Sequence, residues 1–272
     1  MSNKRLVILL SIGLLPMVIC AQDLHFAQTG TFQLADPIVQ FDRILFQESA
    51  MITLDAALEN TSIFYTLNGE DPTIGSTLYQ HPIVLTESAV VKVRAFHPDC
   101  RSSEVVSQQF LQVKRPLDVK KCVLTNQPAK QYSGQGGQSL FDLQKGSLDF
   151  HDGHWLGFNG NDLEVDLELK EATSFSSLTI SNLKNQSSWI FPIRKIEIYS
   201  SDDGQAYTLI QSEEYAEGDT PFPAAQIFKT LVFRPVKTRF LKIKALNQGE
   251  IPAWHPGAGT PAWLFIDEII LR

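Results

Sequence analysis

The residues best suited to chemistry are aromatic rings placed in polar loops. Trp189, followed by Phe191 and Arg194, sits between two strand-like runs, and Trp254-His255 occupies a Pro/Gly-rich stretch before the last apolar run. An exposed ring is a flat apolar platform, and polar groups beside it can orient hydroxyls in a shallow, loop-lined pocket. Trp189, Phe191, Arg194, Trp254, His255 and Asn159 are therefore the expected contacts for a glycan or polysaccharide. The alternative for each ring is to close the end of a core. Trp155 and Trp263, embedded in apolar strings, are expected inside it.

Catalytic constellations do not assemble. Asp267-Glu268 is an acidic pair, but neighbours on a strand point to opposite faces and cannot flank one glycosidic bond, so the pair is expected to be structural. His151 and His154 lie beside Asp149 and Asp152, a pattern expected to form a solvated turn ahead of a buried Trp155. Neither a Gly-x-Ser-x-Gly elbow nor a His-Glu-x-x-His segment occurs. The expectation is a protein that is not an enzyme and requires no cofactor.

Composition narrows the partners. The 272 residues are 43% hydrophobic, enough for one large or two medium domains. Lys and Arg total 23 against 30 Asp and Glu, and a net charge of −7 gives no footprint for nucleic acid or anionic membranes. Residues 1–21 carry a basic start (Lys4, Arg5), an apolar run from Leu6 to Ile19 and a small residue, Ala21, the pattern of a signal peptide. Export is expected, to the medium or to the periplasm and cell envelope. The apolar run is shorter than the roughly 20 residues that span hydrocarbon, and no later window approaches that length, so no transmembrane segment is expected in the mature chain. Lipid anchoring at Cys20 is not expected, because Met17-Val18-Ile19 lacks the small residue such a cysteine needs before it. Cys100 and Cys122 are either bridged or two unpaired thiols.

The elements that must position these residues are strands. After residue 35, short alternating runs such as Met51–Asp55, Ser62–Leu67, Val90–Phe96 and Val105–Phe110 are separated by turn clusters. Leu163–Leu169, Ser176–Asn182, Ile193–Ser200, Leu231–Phe233, Phe240–Ala245 and Ile266–Leu271 continue the pattern, and no amphipathic helix of twelve residues interrupts it. The expected organisation is a lead-in at 22–35, a sandwich of about seven strands at 36–113, a linker with an entry strand at 114–139, and a second β domain at 140–272.

Two resemblances refine this. Phe64-Tyr65-Thr66-Leu67-Asn68-Gly69-Glu70-Asp71-Pro72-Thr73, with Leu78-Tyr79, Pro82-Ile83 and Val91-Lys92-Val93-Arg94-Ala95, resembles the chitobiase/β-hexosaminidase C-terminal domain, an immunoglobulin-like accessory module. The order of strands after residue 140, with the hairpin Ile196–Tyr207, resembles the discoidin or coagulation factor V/VIII C-type domain, a galactose-binding-like jelly roll. Asp152–Phe158, Trp254–Gly259 and Ala262–Ile269 are similar to the tail that follows the catalytic barrel in exported bacterial family 20 β-N-acetylhexosaminidases. The implied fold is all-β, an immunoglobulin-like sandwich followed by a discoidin-like jelly-roll β-sandwich. A (β/α)8 barrel alone takes about 250 residues, and its alternating pattern is missing. The resemblance implies an amino-sugar-containing glycan as ligand, a spacer role for the first module and, as an alternative, docking on a separate glycoside hydrolase. It also implies a structural calcium, for which Asp142, Ser147, Asp152 and Glu268 are the candidate ligands, although Leu143 stands where that motif has glycine.

Overall fold

The computed structural model describes residues 30–215 and 223–272. The expected signal peptide, Cys20 and most of the lead-in lie outside the described residues. The chain is all-β, and among the described residues the only helical pieces are three short 3-10 turns.

The first module contains β1 (Ile38–Phe41), β2 (Leu45–Phe46), β3 (Ala50–Asp55), β4 (Ser62–Thr66), β5 (Thr77–Leu78), β6 (Ile83–Leu85), β7 (Ala89–Phe96) and β8 (Val106–Gln112). One sheet has the order β1-β3-β6 and the other β2-β8-β7-β4-β5. Alternation explains the layers: in β3, Ala50, Ile52 and Leu54 point inward, and in β7, Val91, Val93 and Ala95 do so. Of these, Ala50, Ile52, Leu54, Val91 and Val93 meet Phe46, Ile63, Ile83, Leu85 and Phe110 in a single core. The turn after β4 depends on Gly69, whose φ of +81° is open to glycine at little cost, while the Asn68 side chain accepts the Glu70 amide at 3.2 Å.

The second module contains β9 (Val119–Leu124), β10 (Leu156–Asn159), β11 (Leu163–Lys184), β12 (Lys195–Ser201), β13 (Thr208–Glu214), β14 (Ala225–Leu246) and β15 (Trp263–Leu271). They form one sheet of order β10-β15-β11-β14-β12-β13, with β9 also on β11. Four runs that read as separate strands in the sequence are two continuous strands of 22 residues each, β11 and β14. They pair along most of their length and break register between Glu168 and Thr173, where both bend. The bend folds the sheet on itself, so Leu163, Val165 and Leu167 face Leu178, Ile180, Leu264 and Ile266 across the core.

The modules share an apolar seam of Ile44, Leu45, Leu111 and Val113 against Ile270. Among the described residues no disulfide joins them. Cys100 and Cys122 are both free thiols. Cys122 is held in mid-strand opposite Leu167, with its sulfur 3.6 Å from the Gly137 carbonyl, and burial pushes its thiol up to about 11.

Candidate functional site

Three loops meet at one end of the second module: 160–162, 185–194 and 247–262. Asn247 ties them together. Its buried amide donates to the carbonyls of Ala262 (3.0 Å), Asn161 (3.1 Å) and Phe158 (3.3 Å), while its backbone N–H donates to Asp162 at 2.7 Å. A lone asparagine in a loop gives no signal of this in the sequence. Asn247→Ala is expected to cost about 2–3 kcal/mol, because it strips several buried hydrogen bonds from one point, and urea unfolding would measure it.

On this anchored end Trp189 stands out at 42% exposure. It has φ +62°, a left-handed conformation that costs a non-glycine residue about 1–3 kcal/mol. The backbone is held there from both sides: the Trp189 N–H donates to Gln186 and its carbonyl accepts from Trp263, at 3.0 and 2.9 Å. The indole edge rests on Gly257, where any Cβ would collide with the ring nitrogen. Asn159, Asn161 and Ser187 are exposed polar residues of the same end.

The other expected contacts divide. Phe191 is 1% exposed and packs with Ile251, Ala262 and Trp254, so it belongs to the core and cannot serve as a platform. His255 is 8% exposed, and backbone groups use both ring nitrogens: Nδ1 accepts from the Gly257 N–H at 3.0 Å and Nε2 donates to the Gln186 carbonyl at 2.8 Å. It braces the Trp189 loop and has no free group for a ligand. Trp254 is half-buried. Arg194 donates to the Asn247 carbonyl (3.3 Å) and to Glu214 (3.2 Å), tying a loop to β13.

The histidines near 150 form the polar turn expected of them. Asp149 accepts from the His151 N–H and Asp152 from that of His154, both at 3.0 Å, and Trp155 is buried behind them against Leu183, Ile190 and Phe265. The four calcium candidates separate into two pairs. Asp152 accepts the Ser147 amide, and the Ser147 carbonyl accepts from the Trp155 indole at 3.0 Å, so this pair is consumed by the turn. Among the described residues no group of three or more His, Cys, Asp or Glu is placed to hold a metal. The other pair, Asp142 and Glu268, lies together, close enough for the Asp142 carboxyl to act on that of Glu268. Glu268 is fully buried, and burial, reinforced by the carboxylates of Asp267 and Asp142, pushes its pKa up to about 10. Asp267, next to it, is also fully buried and is bonded to the Lys145 ammonium at 2.7 Å and to the Gly146 N–H at 2.8 Å.

Comparison with known proteins gives two family matches. Residues 52–110 match the model described as Fn3 associated, and residues 125–265 match the F5/8 type C domain. No curated protein matches the chain. Among solved structures, the chain is similar to the C-terminal domain of a chitobiase from Bacteroides fragilis, at 15% identity over 58% of this chain and 97% of that one, with a TM-score of 0.36. It is similar to a CBM32 domain from Clostridium perfringens in complex with GalNAc-β-1,3-galactose, at 17% identity over 56% and 93%, with a TM-score of 0.37. A third is CBM32-1 from a family 31 glycoside hydrolase of Clostridium perfringens, at 21% identity over 58% and 97%, with a TM-score of 0.36. A chitobiase-C-terminal-like, Fn3-associated module thus precedes a discoidin-like jelly roll, and across residues 125–265 the chain belongs to the F5/8 type C domain family.

Proposed function

We propose that the chain is an exported, non-catalytic carbohydrate-binding protein whose jelly roll takes a glycan at the loop end bearing Trp189. The carrying observation is the Trp189 ring, left exposed in a left-handed conformation by a loop that backbone hydrogen bonds and Gly257 hold in place. Such a ring can stack on the C–H face of a sugar without first being ordered. The solved CBM32 domain in complex with GalNAc-β-1,3-galactose supports an amino-sugar-containing ligand class. Asp142 and Glu268 would hold a structural calcium, which would supply positive charge to one exposed and one buried carboxylate and fix the loop at 142 to the last strand. The first module is a rigid spacer.

A glycan array probed with the full chain, with and without calcium, tests this. Selective binding by wild type is expected, falling at least about tenfold in Trp189→Ala, a solvent-exposed truncation that leaves the fold intact by thermal melting. Gly257→Ala is expected to weaken binding as well, by displacing the ring. Silence of the folded wild type across the array would sink the proposal and favour docking on a separate glycoside hydrolase.

A further inference from the structure

A cleft of about 950 Å³ lies between the modules, remote in sequence from the Trp189 loop. Its size is that of a ligand site, and domain interfaces are where such sites concentrate. Its floor is the apolar seam, since Ile44 and Leu45 belong to both, so the two walls are held together without a ligand. One wall is the first module, with Phe41, Asp42, Arg43, Gln108 and Gln109; the other is the 143–148 loop with Gln144 and the start of β14.

The chemistry of the lining is that of hydroxyl recognition. Side-chain amides of Gln108, Gln109 and Gln144 each offer donors and an acceptor, as paired sugar hydroxyls require. Phe41 is partly exposed and presents an apolar face. The charges cancel: Asp42 and Arg43 pair at 3.1 Å, and Lys145, which borders the cleft, has its ammonium committed to Asp267. Among the described residues a uronate or phosphate would find no uncommitted Lys or Arg here, whereas a neutral oligosaccharide loses nothing. We infer that the inter-module cleft is a second binding site, selective for neutral oligosaccharides over acidic ones. This rests on the reading of the chain as a glycan binder and adds a role for the first module, which supplies one wall.

Calorimetry on the full chain tests it with chitohexaose and cellohexaose as neutral probes and hexagalacturonate as the acidic one. Ser107 is exposed in the cleft wall, and Ser107→Trp would fill the space; Gln144→Ala removes an amide without adding bulk, in case the larger residue unsettles the fold. The expected result is that Trp189→Ala still binds a neutral hexasaccharide, and that adding Ser107→Trp or Gln144→Ala to it weakens this remaining binding about tenfold or more. Hexagalacturonate should not compete. If Trp189→Ala abolishes all binding and Ser107→Trp and Gln144→Ala behave as wild type, the cleft is idle and the loop-end site stands alone. Hexagalacturonate displacing the neutral sugar from the Trp189→Ala protein would overturn the selectivity. Wild type that binds none of the probes would overturn the cleft, and the array result then decides separately whether the chain binds glycans at all.

Discussion

Asp267→Ala is expected to destabilise the jelly roll by about 3–5 kcal/mol, the cost of removing one partner from a buried ion pair. Asp267 is fully buried, and the Lys145 ammonium that it pairs with is nearly so. Lys145 lies over the Trp155 ring at 4.5 Å and near the Phe228 ring at 5.7 Å, so its charge has aromatic faces around it and one carboxylate to meet it. Without Asp267 the ammonium must lose its proton or draw water into the packing. The Gly146 N–H loses its acceptor at the same time. The pair itself is a different matter, because its attraction is largely offset by desolvation. Lys145→Met combined with Asp267→Leu is therefore expected to recover most of the loss, since both chains then fill the space without charge. Chemical denaturation of the two single variants and the double variant closes the cycle. A loss below about 1 kcal/mol in Asp267→Ala would mean that Lys145 finds water or another partner readily.

That pair shows where the sequence stops being informative. Lys145 and Asp267 are 122 residues apart, and nothing local to either marks the other. Asp267-Glu268 was legible only as a doublet unsuited to flanking one bond; that both side chains are buried follows from the 142–155 loop lying across β15, a tertiary fact. The strands were more legible, because alternation is local: Val119–Leu124 is a strand inside the 114–139 segment expected to hold one, and Gly69 and the hairpin with Gly204 at φ +74° make the expected turns. The fusion of four expected strands into β11 and β14 was hidden by exposed, mostly polar residues between them, such as Lys170, Glu171, Thr173 and Ser174, which break the apolar alternation without breaking the backbone ladder for long. Among the loop aromatics, sequence distinguishes loop from strand but not inward from outward. Trp189 and Phe191 are two residues apart, yet one is exposed and the other buried, because the left-handed turn at Trp189 rotates its ring away from the core that receives Phe191. His255 is expected from the sequence as a polar partner beside the loop rings, but both its ring nitrogens are used by backbone groups.

The second large effect is a stability that depends on pH and calcium together. Burial pushes the Glu268 carboxyl up to about 10, against 4.5 for an ordinary glutamate. Between those values the folded state keeps a proton that the unfolded chain releases, so unfolding is favoured by rising pH. The contribution of this group is fully present below about pH 4.5 and is lost progressively up to about pH 10, with a limiting slope of about 1.4 kcal/mol per pH unit. In the presence of a chelator, the melting temperature should fall from pH 5 to pH 9. Glu268→Gln, which is neutral at every pH and nearly the same shape, should flatten that fall. Calcium reverses the sign. A cation beside Asp142 and Glu268 favours the ionised carboxylates, so millimolar calcium should raise the melting temperature more at pH 8 than at pH 5, and should do nothing for Glu268→Gln. A chelated wild type whose melting temperature does not fall with pH would show that Glu268 is solvated and not buried. A fall that persists unchanged in calcium would keep the buried acid and remove the metal, leaving Glu268 as a protonated side chain packed beneath the 142–155 loop.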